Sequence, residues 1–161
     1  MLRTVSLPKE PARGNLYLCS MPGRFEALEV FFQEITESGV GHVVCLVSDE
    51  EIARKSPDYL AAIQRDEVPA KLWRYDISDY GLPETPDALI QALDLIRSRL
   101  DVGESVVIHC AAGHGRTGLA AILLLTRMGM PLDQAIESIK LAGSAPDTQA
   151  QRDFLDRHGR P

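Results

Sequence analysis

Ser105 to Met128 constrains the fold of this chain more than any other stretch. Ser105-Val106-Val107-Ile108-His109 is an apolar, β-branched run, and Leu119 to Met128 is apolar over a helical length. Between them lies the glycine-rich turn Cys110-Ala111-Ala112-Gly113-His114-Gly115-Arg116-Thr117-Gly118. An unbroken apolar run without alternation belongs to a strand buried on both faces. The run Leu119–Leu125 is seven residues long and closed by Arg127. A membrane span needs about 20, so it reads as a buried central helix.

The rest of the chain repeats this strand-then-helix grammar. Leu16 to Leu18 reads as a first strand, with a turn at Ser20 to Gly23. Phe25 to Ser38 has helical spacing (Leu28, Phe31, Phe32, Ile35) and stops at Gly39. His42 to Val47 reads as a buried strand, and Asp49 to Arg65 as one or two helices interrupted at Pro57. Lys71 to Ile77 reads as a further strand, followed by the breaker-rich loop Ser78 to Pro83. Pro86 opens a helix through Leu100, with Thr85 as its expected cap. Leu132–Leu141 and Thr148–Asp156 complete a helical carboxyl half. The expected fold is α/β: one domain, core about 16–157, with a mostly parallel sheet flanked by helices. The glycine-rich loop joins the last strong strand to the central helix. Ligands of such sheets bind beyond the carboxyl ends of the strands, which is where this loop falls.

Composition narrows the partners. Lys plus Arg is 17 against 23 for Asp plus Glu, a net charge of −6, which argues against a nucleic-acid footprint. No carboxylate lies between Ser105 and Leu132, so the loop region is locally cationic while the acidic charge sits elsewhere. Three scattered cysteines (Cys19, Cys45, Cys110) form no disulfide framework or zinc cluster, and a reducing, cytoplasmic setting is expected. Met1 to Pro11 lacks the apolar core of a signal peptide, and no membrane anchor is expected. The sequence carries no indication of oligomeric state.

The loop's spacing has its own chemistry. Successive backbone N–H groups bent around a helix start make an anion hollow at the positive end of the helix dipole. Gly113 and Gly115 permit the backbone angles this needs. Arg116, separated from Cys110 by five residues, can turn a planar fork onto two phosphate oxygens. A cysteine at the base of such a hollow is held as thiolate, a nucleophile aimed at a bound phosphate. A carboxylic acid must then protonate the leaving oxygen. A lone strand-end cysteine is usually packing and a lone glycine turn is usually a turn; their joint occurrence with Arg116 and Thr117 is what carries weight. Gly113 to Gly118 also matches G-x-G-x-x-G, with Asp133 twenty residues beyond Gly113. The dinucleotide reading fails because the acid should end a second strand, whereas Asp133 opens a helix after Pro131.

Residues 109–117, His-Cys-x-x-Gly-x-x-Arg-Thr, resemble the signature of the cysteine-dependent protein tyrosine and dual-specificity phosphatases. Leu18 to Gly23, Val44 to Val47 and Ile77 to Pro83 follow in the order of the kinase-associated phosphatase group. The resemblance implies Cys110 as the nucleophile of a phosphocysteine intermediate and Arg116 as phosphate clamp. It implies phosphate binding by Ala111, Ala112, Gly113, His114 and Gly115 together with Arg116. Thr117 would hydrogen-bond the departing thiolate, His109 would brace the loop, and Asp79 would be the general acid and base. Chemistry alone also permits Asp76 or Glu84. Cys45 is implied as a redox partner of Cys110, beside the alternative of a core cysteine. Tyrosine-specific members commonly carry a late pair of glutamines that position water; here Asp147 stands at the first place and Gln151 is offered for the second, and neither is assigned a role. His114 either tunes anion affinity or faces outward. The two lysines of phosphoinositide-hydrolysing relatives are absent, Ala111 and His114 standing in their places.

The expected activity is hydrolysis of phosphate monoesters in a phosphorylated protein or peptide, on phosphotyrosine, phosphoserine or phosphothreonine. A phosphoinositide or a small metabolite is the alternative substrate. A non-catalytic phospho-binding module is the alternative of another class, against which the intact Cys110, Arg116 and Asp79 argue. No cofactor and no metal ion are expected, since neither His42 nor His158 falls in ligand spacing. Arg24, Tyr80 and the Asp49 to Asp58 segment are candidates for lining the entrance.

Overall fold

The computed structural model describes residues 1–8 and 13–160, so part of the Met1 to Pro11 stretch lies outside the described residues. Five strands form one sheet: β1 (Arg3–Val5), β2 (Leu16–Cys19), β3 (Val40–Cys45), β4 (Lys71–Arg74) and β5 (Ser105–His109), in the order β1-β2-β5-β3-β4. Only the β1–β2 pairing is antiparallel. β5 therefore sits between two parallel neighbours, and all five of its residues are buried. That is what an unalternated Val-Val-Ile run demands.

Among the described residues seven helices cover the sheet: α1 (Leu28–Glu37), α2 (Asp49–Lys55), α3 (Pro57–Gln64), α4 (Pro86–Asp101), α5 (Gly115–Arg127), α6 (Leu132–Leu141) and α7 (Gln149–His158). Side chains alternate along a strand, and the core divides accordingly. Val106 and Ile108 face the α4–α7 layer with Leu16, Leu18 and Val44, whereas Val107 faces Phe31, Ile35, Ile52 and Tyr59 of the α1–α3 layer. α5 is buried from Gly115 to Thr126, because α4, α6, α7 and β5 enclose it. Such all-round burial explains why Leu119 to Leu125 carries no polar stripe. Arg127 leaves the core at the end of α5 and forms a two-pronged ion pair with Asp94 of α4, at 2.6 and 2.7 Å.

Several boundaries differ from the sequence reading. The sheet begins at Arg3, not Leu16: β1 is a three-residue edge strand, too short for a period to show. β4 ends at Arg74, not Ile77, although Tyr75 and Ile77 still donate to Cys45 O and Leu46 O at 3.0 and 3.2 Å. β3 spans Val40–Cys45, starting two residues before His42, with an irregular register between Val40 and His42. α1 starts at Leu28 rather than Phe25, which is left exposed. Thr85 precedes α4 but makes no side-chain cap bond; Tyr75 Oη instead donates to its carbonyl at 2.6 Å. α5 opens at Gly115, so Arg116 and Thr117 belong to its first turn. No helix among the described residues is long and apolar enough to cross a membrane.

Candidate active site

β5 delivers Cys110 to the carboxyl edge of the sheet, and α5 begins five residues later. The first turn of α5 has no side-chain cap. Its leading N–H groups are therefore available to an anion at the positive end of a thirteen-residue helix. Gly113, at φ +76°, makes the bend; a side chain there would press on Cys19 O. In front of the loop lies a cavity of about 110 Å³ lined by Cys110, Ala111, Ala112, Gly115 and Arg116, with Arg24, Lys55, Asp79, Tyr80 and Asp147. Cys110, Arg116 and Asp79, separately expected from the sequence, meet here. Arg24, Tyr80 and Lys55, the last from the Asp49–Asp58 segment, do line the opening. His114 faces a neighbouring, wider cavity of about 390 Å³, shared with Arg3, Ser20 and Phe25. His114 is exposed, while Gly113 lies buried behind the loop.

Arg116 is only 2% exposed and is held on three sides. Its Nη1 donates to Glu51 Oε2 at 2.7 Å and to Ile77 O at 3.0 Å; Nη2 donates to Glu51 Oε1 at 3.0 Å and Asp79 Oδ1 at 3.0 Å. The fork on Glu51 sets the guanidinium plane. Those hydrogen bonds, with one from Lys55, hold the Glu51 carboxyl down to about 2 against the opposing effect of burial. Sequence reasoning missed Glu51, for an identifiable reason. Ser48-Asp49-Glu50-Glu51 reads as an ordinary capping box, and Ser48 Oγ does accept from Glu51 N at 3.3 Å. The Glu51 side chain, however, goes to Arg116 instead of turning back.

His109 is fully buried and pulled down to about 4, chiefly by that burial. It is therefore neutral near pH 7. Its Nδ1 lies 3.1 Å from Cys110 O and its Nε2 2.9 Å from Tyr59 Oη. A carbonyl only accepts, so the network assigns the proton to Nδ1 and makes Tyr59 the donor to Nε2. Tyr59 was also missed; on sequence it is a core aromatic of a helix. Thr117 Oγ1 is buried and has no hydrogen-bond partner among the described residues.

The three acid candidates separate in space. Asp79 lines the Cys110 cavity, whereas Asp76 and Glu84 line a different one with Ser48 and Ile77. Asp79 sits in a turn closed by Gly81 N donating to Ser78 O at 2.8 Å. Tyr80 adopts φ +57°, a conformation unusual for a bulky residue. Asp79 Oδ2 faces Lys55 at 3.9 Å.

A third residue absent from the sequence reading is Arg3 of β1. Its Nη2 donates to Gly113 O at 2.6 Å, and Nη1 donates to Ala142 O at 3.2 Å and also to Gly143 O. Cys45 is buried, with its thiol directed to Val47 O at 3.7 Å and pushed up to about 11 by burial. It pairs in register with His109 and packs in the α1–α3 layer, whereas Cys110 packs in the α4–α7 layer. Cys19 is likewise buried and pushed up to about 12. All three cysteines are free thiols.

A mostly parallel sheet whose central strand is followed at once by a cysteine, with an uncapped helix start and a buried arginine around one small hollow, is the architecture of the cysteine-based dual-specificity phosphatases. Residues 19–129 match the model of the polymorphic toxin system DSP-PTPase phosphatases, and the chain belongs to that family. Mouse (Mus musculus) protein tyrosine phosphatase type IVA 3 is 25% identical over 135 residues, which are 81% of this chain and 71% of that protein. Among solved structures, kinase associated phosphatase with its catalytic cysteine replaced by serine superposes with a TM-score of 0.82 at 20% identity, covering 98% of this chain and 94% of that one. Tk-PTP in its active form superposes at 0.72 with 24% identity, covering 94% and 98%. The two superpositions establish a shared fold. The chain spans about half the length of the first curated relatives it matches: 47% of a Mycobacterium tuberculosis insertion-sequence ATP-binding protein and 56% of the Bos taurus type IVA 3 phosphatase.

Proposed function

We propose that the protein hydrolyses phosphate monoesters of phosphorylated proteins through a phosphocysteine on Cys110. The observation that carries this reading is the meeting of Cys110, Arg116 and Asp79 around one small cavity at the uncapped start of α5. The loop amides and Arg116 hold the phosphoryl oxygens, where preorganised donors act most strongly on charge developing in the transition state. The Cys110 thiolate attacks phosphorus, the P–O ester bond breaks, and Asp79 gives its proton to the leaving oxygen. An incoming phosphate competes with Asp79 for Arg116 Nη2, and that competition frees the carboxyl to turn toward the leaving group. Neutral His109, donating to Cys110 O, keeps the strand end in place without adding charge. Thr117, whose hydroxyl has no other partner among the described residues, is the donor for the thiolate when it departs. Water then attacks phosphorus as its proton passes to the Asp79 carboxylate, the S–P bond breaks with its electron pair returning to Cys110 Sγ, and phosphate leaves.

Exposed Tyr80 beside the opening, with Arg24 and Lys55, suits a phosphorylated residue presented on a peptide. The test is a panel of phosphotyrosine and phosphothreonine peptides, phosphoinositides and sugar phosphates, run on the wild type, Cys110→Ser, Asp79→Asn and Asp76→Asn. Peptide turnover should vanish in Cys110→Ser and fall about 100-fold in Asp79→Asn, with Asp76→Asn close to wild type. Turnover confined to lipid or sugar phosphates would replace the substrate class, and phosphopeptide binding without any turnover would make the domain a binding module.

A further inference from the structure

The turn between β2 and α1 brings Arg24 to the Cys110 cavity and is fixed from two sides. Met21 N donates to Ala111 O at 3.2 Å, which ties the turn to the phosphate-binding loop, and Arg24 N donates to Met21 O at 3.2 Å. Ser56, only 2% exposed and just before α3, donates its hydroxyl to Pro22 O at 2.7 Å. Gly23 takes φ +74°, and a Cβ there would press on that same Ser56 Oγ. This scaffold presents a cation on a platform: the Arg24 guanidinium lies 4.5 Å over the centre of the Phe25 ring, and Phe25 is 67% exposed. A ring left in water beneath a charge adds little to the core, but it restricts where that charge points.

Three cations line the small cavity, and two are already matched. Arg116 and Lys55 both bond to Glu51 and both face Asp79. Among the described residues Arg24 has no ion pair and its guanidinium no hydrogen bond. Ala112 lines the small cavity and the wider one, so the two adjoin at that residue, with Arg24 on the first and Phe25 on the second. In the wider cavity Glu26 is engaged by the Met1 amino group, while Arg3 gives both Nη groups to backbone carbonyls and has no carboxylate partner among the described residues. Asp147 stands against Gly115 and repels a second anion on that side. We propose that Arg24 is a specificity-determining residue, selecting phosphopeptides with aspartate or glutamate next to the phosphorylated residue. This rests on the reading that the substrate is a phosphorylated protein. With the phosphorylated residue in the small cavity, its neighbour crosses Ala112 beside the Arg24–Phe25 pair. One unpaired guanidinium offers two parallel N–H donors, the match of a single carboxylate.

Matched phosphotyrosine peptides test this, one with aspartate and one with asparagine on both sides of the phosphorylated residue. The readout is the ratio of their kcat/KM values within each enzyme, so that a variant's overall activity cancels. Wild type should favour the aspartate peptide about 10-fold, the low end for a charge-assisted pair at a partly exposed site. The preference should lie mostly in KM and shrink with added salt. Arg24→Gln should bring the ratio to about 1. Phe25→Leu keeps the charge and removes the platform, and its ratio should fall between those two. A wild-type ratio of about 1 or less would overturn the proposal. So would a ratio left at the wild-type value by Arg24→Gln or, where that variant does not fold, by Phe25→Leu. Wild type turning over neither peptide would overturn instead the phosphopeptide reading beneath it.

Discussion

Arg116 makes four hydrogen bonds within the protein, to Glu51, Ile77 and Asp79. Only its Nε–H has no partner among the described residues. A guanidinium so confined presents one orientation to an anion, and preorganisation of that kind lowers the cost of binding the transition state. Glu51 is therefore a positioning residue. Glu51→Gln keeps the shape but removes the charge partner of a buried cation, and loss of one member of a buried pair costs about 3 kcal/mol. The expected outcome is that loss in urea unfolding, together with a fall in kcat of about 100-fold that exceeds any rise in KM. A merely structural role would lower stability and leave kcat per folded molecule intact. Cys110 and Arg116 were legible in the sequence because they lie within one turn of chain. Glu51 was not, because its partner is 65 residues away and its local context already has an ordinary explanation.

At the level of elements, β1 is the least conspicuous and among the most consequential. Three residues long and at the sheet edge, it contributes little pairing. It does carry Arg3 to the back of the phosphate-binding loop, where one guanidinium bridges Gly113 O to the α6–α7 connection at Ala142 O and Gly143 O. The loop thus has a support from a segment preceding the 19–129 family match. Arg3→Ala should loosen the loop and lower kcat about 10-fold or more, since displacements near 1 Å at a reacting centre cost up to about 100-fold. Arg3→Lys should recover little, because a point charge cannot bridge two loops as a planar fork does. Wild-type kcat in both variants would remove this function from β1. The α4 start carries a smaller lesson. Thr85 has the right residue type for a cap, yet Tyr75 takes up its carbonyl, so tertiary contact overrode a local preference.

Across the whole molecule, two buried titratable groups give stability a defined pH dependence. His109 is pulled from its ordinary 6.5 to about 4 in the folded state. Between those values the unfolded chain binds a proton that the folded one refuses, so stability falls on acidification from pH 6.5 to about 4, by roughly 3 kcal/mol. Glu51, held at about 2 against an ordinary 4.5, supports the fold fully above pH 4.5. Its contribution is lost between there and about pH 2. Thermal unfolding of wild type and His109→Gln from pH 8 to 3 checks this. The variant should lose the dependence between pH 6.5 and 4 and keep the decline below pH 4.5; an unchanged profile would assign the acid sensitivity elsewhere. The same division runs through the fold and the site. By itself the sequence determined the α/β class, the buried β5, the apolar α5 and the Cys110-to-Arg116 loop, because each depends on contacts within a few residues. Only the tertiary structure decided that Glu51 holds Arg116, that Tyr59 meets His109, that Arg3 reaches Gly113, and that Asp79 rather than Asp76 shares a cavity with Cys110. Those contacts arise where the order β2-β5-β3 brings separate strand ends together, and residue spacing along the chain carries no record of distances across it.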